Sequence, residues 1–243
     1  MQKIIINGAT GLIGNAIINY LKNYEFNIIA RDVNKAQRMY PTCNIIKYND
    51  SLTHDIFENC FAVINLAGEN ISGKRWNDDY KRLLYSSRIN TTKNIAFAIS
   101  RTKQKPSLFI NASAVGYYGY KDKSPAIEST SAGKDFLARL CKDWEECTKE
   151  IENADIRTVR LRFGFVLAKS GGLEKLIKPF KFFIGGKLGK GNQPFTFIHI
   201  NDLVRIIEFI FENNNIEGAV NCVSPEDITN KDFTKVLGKV LKR

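Results

Sequence analysis

Three glycines at 8, 11 and 14 stand between an apolar run (Ile4, Ile5, Ile6) and a helical pattern (Ile13, Ile17, Ile18, Leu21). Strand, glycine turn and helix in that order bring backbone N–H groups and a helix N-terminus against a pyrophosphate. Gly8 permits the tight turn, Gly11 lets the backbone approach the phosphates, and Gly14 lets the helix pack close to the strand. Thr10, Leu12 and Ile13 complete the predicted cradle.

Further polar groups fall at the ends of the next predicted strands. The second ends in Ala30 and Arg31, where an arginine pairs with a ribose 2′-phosphate and a carboxylate would instead bind the 2′-hydroxyl. Asp32 follows and can also turn toward the ribose, so NADP(H) is favoured over NAD without NAD being excluded. The fourth ends Asn65-Leu66-Ala67-Gly68, small enough for backbone to lie along the adenosine side of a dinucleotide, or simply a strand closing at a glycine. Asn49 and Asp50, after the third strand, are candidates to meet adenine.

These groups must be positioned by alternating strands and helices. Apolar or β-branched runs recur at 3–7, 26–31, 44–48, 61–66, 107–112 and 157–162, with helical patterns between most of them. That alternation predicts a parallel sheet covered on both faces. Long helices are expected at 76–100 and 134–153. The order changes after Arg162. The Gly- and Lys-rich stretch 163–194 reads as an excursion with a short helix at 173–180. A segment at 195–200, a helix at 202–212, a strand at 219–223 and a helix at 230–241 follow.

The 243 residues, 44% of them hydrophobic, suit one α/β domain with an appendage. No apolar run reaches the roughly 18 residues of a spanning helix, and no signal peptide is visible, so neither membrane association nor export is expected. The five cysteines form no CxxC pair and read as free thiols in a reducing, cytoplasmic compartment. His54 and His199 lack metal-ligand spacing, so no metal is expected. The net charge of +11 is spread along the chain without interleaved aromatics. It suits attraction of phosphorylated ligands better than specific nucleic-acid binding.

The chain resembles extended short-chain dehydrogenases/reductases of the epimerase/dehydratase type. The resemblance is carried by Gly-Ala-Thr-Gly-Leu-Ile-Gly (8–14), Asn-Leu-Ala-Gly (65–68), Ala-Ser-Ala-Val-Gly-Tyr-Tyr-Gly (112–119) and Ile-His-Ile-Asn-Asp (198–202). More narrowly, it is similar to the subgroup labelled "epimerase family protein", close to short-chain dehydrogenase family 39U. The subgroup pieces are Glu-Asn-Ile (69–71), Arg-Trp (75–76), Ser-Arg-x-x-Thr-Thr (87–92) and the loop Ile-Gly-Gly-Lys-Leu-Gly-Lys-Gly (184–191). The match covers essentially the whole chain, although members usually continue past Arg243, and a missing C-terminal piece would leave the substrate lobe incomplete.

The resemblance implies a Rossmann-type, doubly wound sheet and bound NADP(H). It implies cofactor contacts at Ala30, Arg31, Leu66, Ala67, Arg88 and near Val166, with Arg88 a cation near the phosphates or ribose. It also implies a serine at the fifth strand end that orients the substrate oxygen, which is Ser113. The superfamily's usual base is a tyrosinate whose pKa a lysine one helical turn later lowers.

The formal match Tyr117-x-x-x-Lys121 lies in a glycine-containing loop, whereas the pair needs a helix to share a face. In the expected helix, alignment puts Leu137 in the tyrosine place and Cys141 in the lysine place. Tyr117 or Tyr118 then overhangs the nicotinamide as proton donor, or packs as a rim aromatic. Trp76 either caps substrate or packs a loop, His199 touches substrate or caps the following helix, and the 185–191 loop is a mobile lid, a phosphate-binding nest or a plain linker.

Residues 1–162 are thus expected to form an NADP(H)-binding core. Residues 163–243 are expected to be mostly a substrate lobe, with 195–223 partly returning to the core. The expected function is an NADP(H)-dependent oxidoreductase or epimerase-like enzyme acting on a small hydroxyl or carbonyl compound such as a nucleotide sugar. A non-catalytic NADP(H)-binding sensor or regulator is the alternative, and a homodimer is compatible with either.

Overall fold

Ile4, Ile5 and Ile6 are each fully buried, yet they enter two different cores. Ile4 and Ile6 face one side of the sheet and Ile5 the other, as successive strand residues must. A strand apolar on both faces belongs in the middle of a covered parallel sheet. Burying each such side chain contributes about 1.5–3 kcal/mol.

The computed structural model describes residues 1–49, 51–120 and 125–243. Its strands are β1 (Gln2–Asn7), β2 (Tyr24–Ala30), β3 (Asn44–Lys47), β4 (Ala62–Asn65), β5 (Leu108–Ala114), β6 (Arg157–Phe163), β7 (Phe165–Leu167), β8 (Phe197–His199) and β9 (Gly218–Cys222). Its helices are α1 (Leu12–Tyr20), α2 (Val33–Met39), α3 (Asp78–Ile99), α4 (Phe136–Glu146), α5 (Lys149–Glu152), α6 (Gly172–Lys181), α7 (Ile200–Glu212) and α8 (Asn230–Leu241).

Seven strands form one parallel sheet in the order β3-β2-β1-β4-β5-β6-β9. The chain winds outward one way from β1 through β3, then the other way from β4. The switch point therefore lies between β1 and β4, and ligands bind there, beyond the strands' carboxyl ends. Residues of α1, α2 and α7 fill the core on one face, and residues of α3 and α5 the core on the other. Among the described residues, no helix is long and apolar enough to cross a membrane.

The sheet and long helices match the sequence expectation, with three local differences. The helix expected over 134–153 is broken into α4 and α5. The Thr148 hydroxyl donates to the Glu145 carbonyl at 2.7 Å and the Thr148 N–H reaches the same oxygen at 3.0 Å. Such side-chain competition for a backbone acceptor bends helices. The stretch after Arg162 contains strand β7, which pairs in parallel with β8 through Phe165–Phe197, Val166–Ile198 and Leu167–His199. Third, α2 fills the stretch between the second and third strands, for which the sequence pattern gives no helix bounds. Asp32 is its N-cap and accepts from the Lys35 N–H at 2.9 Å.

Candidate functional site

A crevice of about 680 Å³ opens at the switch point, with walls that include Gly8, Gly11, Arg88, Ser113, Cys141 and Val166. Gly8 turns the chain out of β1 with φ +93°, and a Cβ there would lie 2.9 Å from the Leu66 carbonyl carbon. A Cβ at Gly14 would come within 2.5 Å of the Gly8 oxygen and 2.6 Å of the Ala9 Cα. The turn and the first helical residues thus approach each other through two positions that accept only glycine. Gly11, the N-cap of α1, is exposed to the crevice. No side chain caps α1 and no acidic residue lies in its first turn. Uncapped amides at a helix N-terminus form an anion cradle. Tyr40 braces the turn, its hydroxyl 2.9 Å from both the Ala9 oxygen and the Asn15 Oδ1.

A buried cation faces the same space. Arg88, on α3, is 8% exposed and donates to the carbonyls of Leu84 at 3.0 Å and Glu69 at 2.9 Å. Its guanidinium lies 5.1 Å from the Trp144 ring centre. Among the described residues no carboxylate forms an ion pair with it. Burial pulls its pKa down, against opposing contributions from Cys141, Glu69 and Tyr80.

Trp144, a wall residue, is tied to a buried polar row. Asn7, Asn65 and Asn111 are register neighbours on β1, β4 and β5. Asn7 donates to Asn65 at 3.1 Å, and Asn65 donates to Asn111 at 2.8 Å and to Thr92 at 2.9 Å. Trp144 Nε1 closes the row on Thr92 at 2.8 Å. Every member is hydrogen-bonded, which is how a polar group survives burial.

A second row runs one pleat further along, where Ser113, Arg162 and Asn221 are neighbours on β5, β6 and β9. Arg162 and Glu145 form a buried bidentate pair. Nε reaches Oε1 at 2.8 Å and the second guanidinium nitrogen reaches Oε2 at 2.8 Å. Ser113 Oγ donates to Glu145 Oε1 at 2.6 Å. The Tyr118 hydroxyl accepts from Arg162 at 2.8 Å and donates to Asn221 at 2.6 Å. Burial lowers the Arg162 pKa, but the hydrogen bonds to Glu145 and Tyr118 outweigh it and hold the guanidinium raised.

Several expected site residues meet at this crevice: Gly8, Gly11, Leu12, Ile13, Gly14, Leu66, Arg88, Ser113 and Val166 all line it. Ala67 and Gly68 border it. A Cβ on Gly8 would approach the Ala67 nitrogen at 3.0 Å, and one on Gly68 the Arg88 Cζ at 3.0 Å. Thr10 lies within the turn, Ala30 is buried at the end of β2, and Arg31 is exposed beside it.

Tyr117 and Tyr118 are not brought to the wall with Ser113. Tyr117 packs under Arg162, 3.6 Å from its Cζ to the ring centre, and edge-on to Tyr118. The Tyr118 hydroxyl is engaged on both sides behind Ser113. Asp50 and Lys121, and with Lys121 the loop Tyr-x-x-x-Lys match, lie outside the described residues. Leu137 and Cys141 do line the crevice, on a helix that contains no tyrosine. Burial pushes the Cys141 thiol up to about 11, with Glu145 adding to the rise and Arg88, the Ala114 backbone and Ser113 opposing it. His199 caps α7, accepting from the Asn201 N–H at 3.3 Å. Trp76 donates to the Ile71 carbonyl at 2.8 Å and packs edge-on against Phe136. Among the described residues, no group of three or more His, Cys, Asp or Glu could hold a metal ion.

Sequence reasoning missed Trp144, Phe165, Phe195 and Thr196 as wall residues, and Glu145 and Arg162 as partners of Ser113. Leu137, Leu140, Cys141 and Trp144 carry a visible helical stripe, but a stripe by itself signals only packing. Nothing local marks Glu145, because its partners lie on other elements.

The model of the NAD dependent epimerase/dehydratase family matches residues 4–140. Epimerase family protein SH2119 of Staphylococcus haemolyticus (strain JCSC1435) is 34% identical over 250 residues, covering 100% of this chain and 82% of that protein. The crystal structure of human epimerase family protein SDR39U1 (isoform2) with NADPH superposes with a TM-score of 0.87 at 30% identity, covering 100% of this chain and 81% of the human one. The nucleoside-diphosphate sugar epimerase of Corynebacterium glutamicum gives a TM-score of 0.83 at 30% identity, over 98% of this chain and 50% of that one.

Proposed function

The chain belongs to the NAD dependent epimerase/dehydratase family, and from that premise we propose that its crevice binds NADP(H) together with a small hydroxyl or carbonyl compound. One observation carries this proposal. The turn accepts only glycine at positions 8 and 14, and it opens uncapped α1 amides onto a crevice that also holds the buried Arg88, which forms no ion pair among the described residues. The residues present fit a pyrophosphate. Gly8, Thr10, Gly11, Leu12, Ile13 and Gly14 would hold it, and Arg88 would add a cation near the phosphates or ribose. Leu66, Ala67 and Gly68 would border the adenosine side, with Ala30 and Arg31 at its ribose and Val166 at the far wall.

Two observations favour NADP(H) over NAD. The Asp32 carboxylate caps α2 while the neighbouring Arg31 is exposed and makes no ion pair among the described residues. The human relative at 30% identity was crystallised with NADPH. The bound coenzyme would supply reversible hydride exchange. Ser113 would orient the substrate oxygen, and Tyr118 would support that wall through Arg162. Residues 1–162 would then be the coenzyme-binding core. Residues 163–243 would mostly serve the substrate, with β7 and Thr196 in the crevice wall and β9 returning to the sheet. The Corynebacterium relative favours a nucleotide sugar as substrate.

A second reading, a non-catalytic NADP(H) sensor, is favoured by one feature. The titratable side chains of the crevice wall are Arg88 and Cys141, the latter a thiol pushed up to about 11 by burial. The test is a fluorescence titration with NADPH and NADH, followed by a carbonyl panel. Binding weaker than roughly millimolar for both coenzymes refutes both readings. NADPH binding with no turnover on any carbonyl leaves the sensor.

A further inference from the structure

A serine hydroxyl has one proton and two lone pairs. At Ser113 the destination of that proton is fixed. The Glu145 carboxylate is clamped by Arg162 on both oxygens, and a carboxylate so paired can only accept. The 2.6 Å contact between Ser113 Oγ and Glu145 Oε1 is therefore donated by the serine. What Ser113 offers the crevice is lone pairs. The groups facing it do not change this: Cys141, which the same hydroxyl also reaches, is a thiol pushed up by burial and a weaker acceptor than the carboxylate at 2.6 Å, and Arg88 is engaged by two carbonyls and lies over Trp144. The remaining wall around Ser113 is apolar or backbone, formed by Ala112, Val115, Gly116, Leu137 and Leu140.

Resting on the reading of this crevice as the coenzyme and substrate site, we propose that Glu145 is a positioning residue that makes Ser113 an obligate acceptor. The site then selects a ligand that brings its own proton, a hydroxyl group, over one that presents a carbonyl oxygen. A carbonyl oxygen at Ser113 sets lone pair against lone pair, whereas an alcohol completes the chain from ligand O–H to Ser113 to Glu145 to Arg162. The polarity depends on that carboxylate. In Glu145→Ala the hydroxyl loses its acceptor and has only the donors of Arg162 on that side. That frees the serine proton for the crevice.

The test measures binding, so it needs no turnover. Purified protein is saturated with redox-inert tetrahydro-NADP and titrated with cyclohexanol and cyclohexanone by ligand-observed NMR. Wild type should bind the alcohol roughly five- to tenfold more tightly. Glu145→Ala should abolish or invert that ratio, and Ser113→Ala should bring it to about one by removing the acceptor. Equal affinities in wild type, failure of both probes to bind, or parallel weakening of both probes in Glu145→Ala overturns the proposal. If Glu145→Ala does not fold, Ser113→Ala decides, since a preference that survives loss of the hydroxyl also overturns it. The same titration without coenzyme separates the two claims. A preference there, with no tetrahydro-NADP binding, refutes the coenzyme and keeps the polarity of Ser113.

Discussion

The two ends of the crevice are built from different materials. At the β1–α1 turn the surface is main chain, shaped by positions where a Cβ would collide with backbone at 2.5 to 2.9 Å. Around Ser113 it is side chain, with Glu145 from α4, Arg162 from β6, Asn221 from β9 and Tyr118 from the turn after β5, joined by hydrogen bonds of 2.6 to 2.8 Å. The first end is fixed by backbone sterics, Gly14 against the turn and Gly8 against Leu66 just past the end of β4. The second exists only once distant segments have assembled. A backbone cradle tolerates change in its neighbours but not in its glycines, whereas a charged network fails when any one partner is lost.

Substitutions can break this contrast, and the largest effect is expected in the network. Glu145→Ala leaves Arg162 buried at 4% side-chain exposure without its carboxylate. It should cost about 3–5 kcal/mol of stability, read by chemical denaturation. A loss under about 1 kcal/mol would mean that Arg162 finds water or another partner. Gly14→Ala should cost about 1–3 kcal/mol through overpacking against Gly8 and Ala9. It should also weaken NADPH by roughly two orders of magnitude, about 3 kcal/mol. Unchanged coenzyme affinity would detach the turn from binding.

Arg31→Ala sharpens the comparison by testing a cradle contribution made by a side chain. NADPH should weaken about tenfold or more, the worth of a charge-assisted contact, with NADH unaffected. Equal loss for both coenzymes would remove the 2′-phosphate from Arg31.

The smallest effect concerns pH. Burial raises Cys60 and Cys141 to about 11 and Cys222 to about 12, from an ordinary value of 9.0. The folded state therefore holds these protons more tightly than the unfolded chain does. That stability is full below pH 9 and is lost as pH rises from there through the folded values. Melting temperature should fall over that window, and by less in Cys222→Ala when each variant is compared with its own value at neutral pH.

The same contrast explains what could be read from the amino-acid order. Gly8 and Gly14 announce their conformation because no other residue type meets the demand. Ile4 to Ile6 announce a strand buried on both faces. Arg88 is named by the family resemblance, but its burial needed the structure: by itself it reads as a solvated helix residue until Glu69 and Trp144 are seen to close over it. Ser113 could be placed at a strand end, but the direction of its hydroxyl depends on Glu145, 32 residues away. Tyr118 drew attention as a proton donor beside the serine. Its hydroxyl bonds Asn221, 103 residues later, a pairing with no local trace. The helix break at Thr148 was equally hidden, since that hydroxyl also accepts from Arg160 of β6 at 2.9 Å.

The most direct measurement is a crystal structure of the chain grown with NADPH. The pyrophosphate should lie on the amides of Leu12 and Ile13, the 2′-phosphate beside Arg31, and the nicotinamide toward Ser113. A nucleotide bound elsewhere, or clear density for an empty turn at saturating NADPH, would contradict the assignment of this crevice.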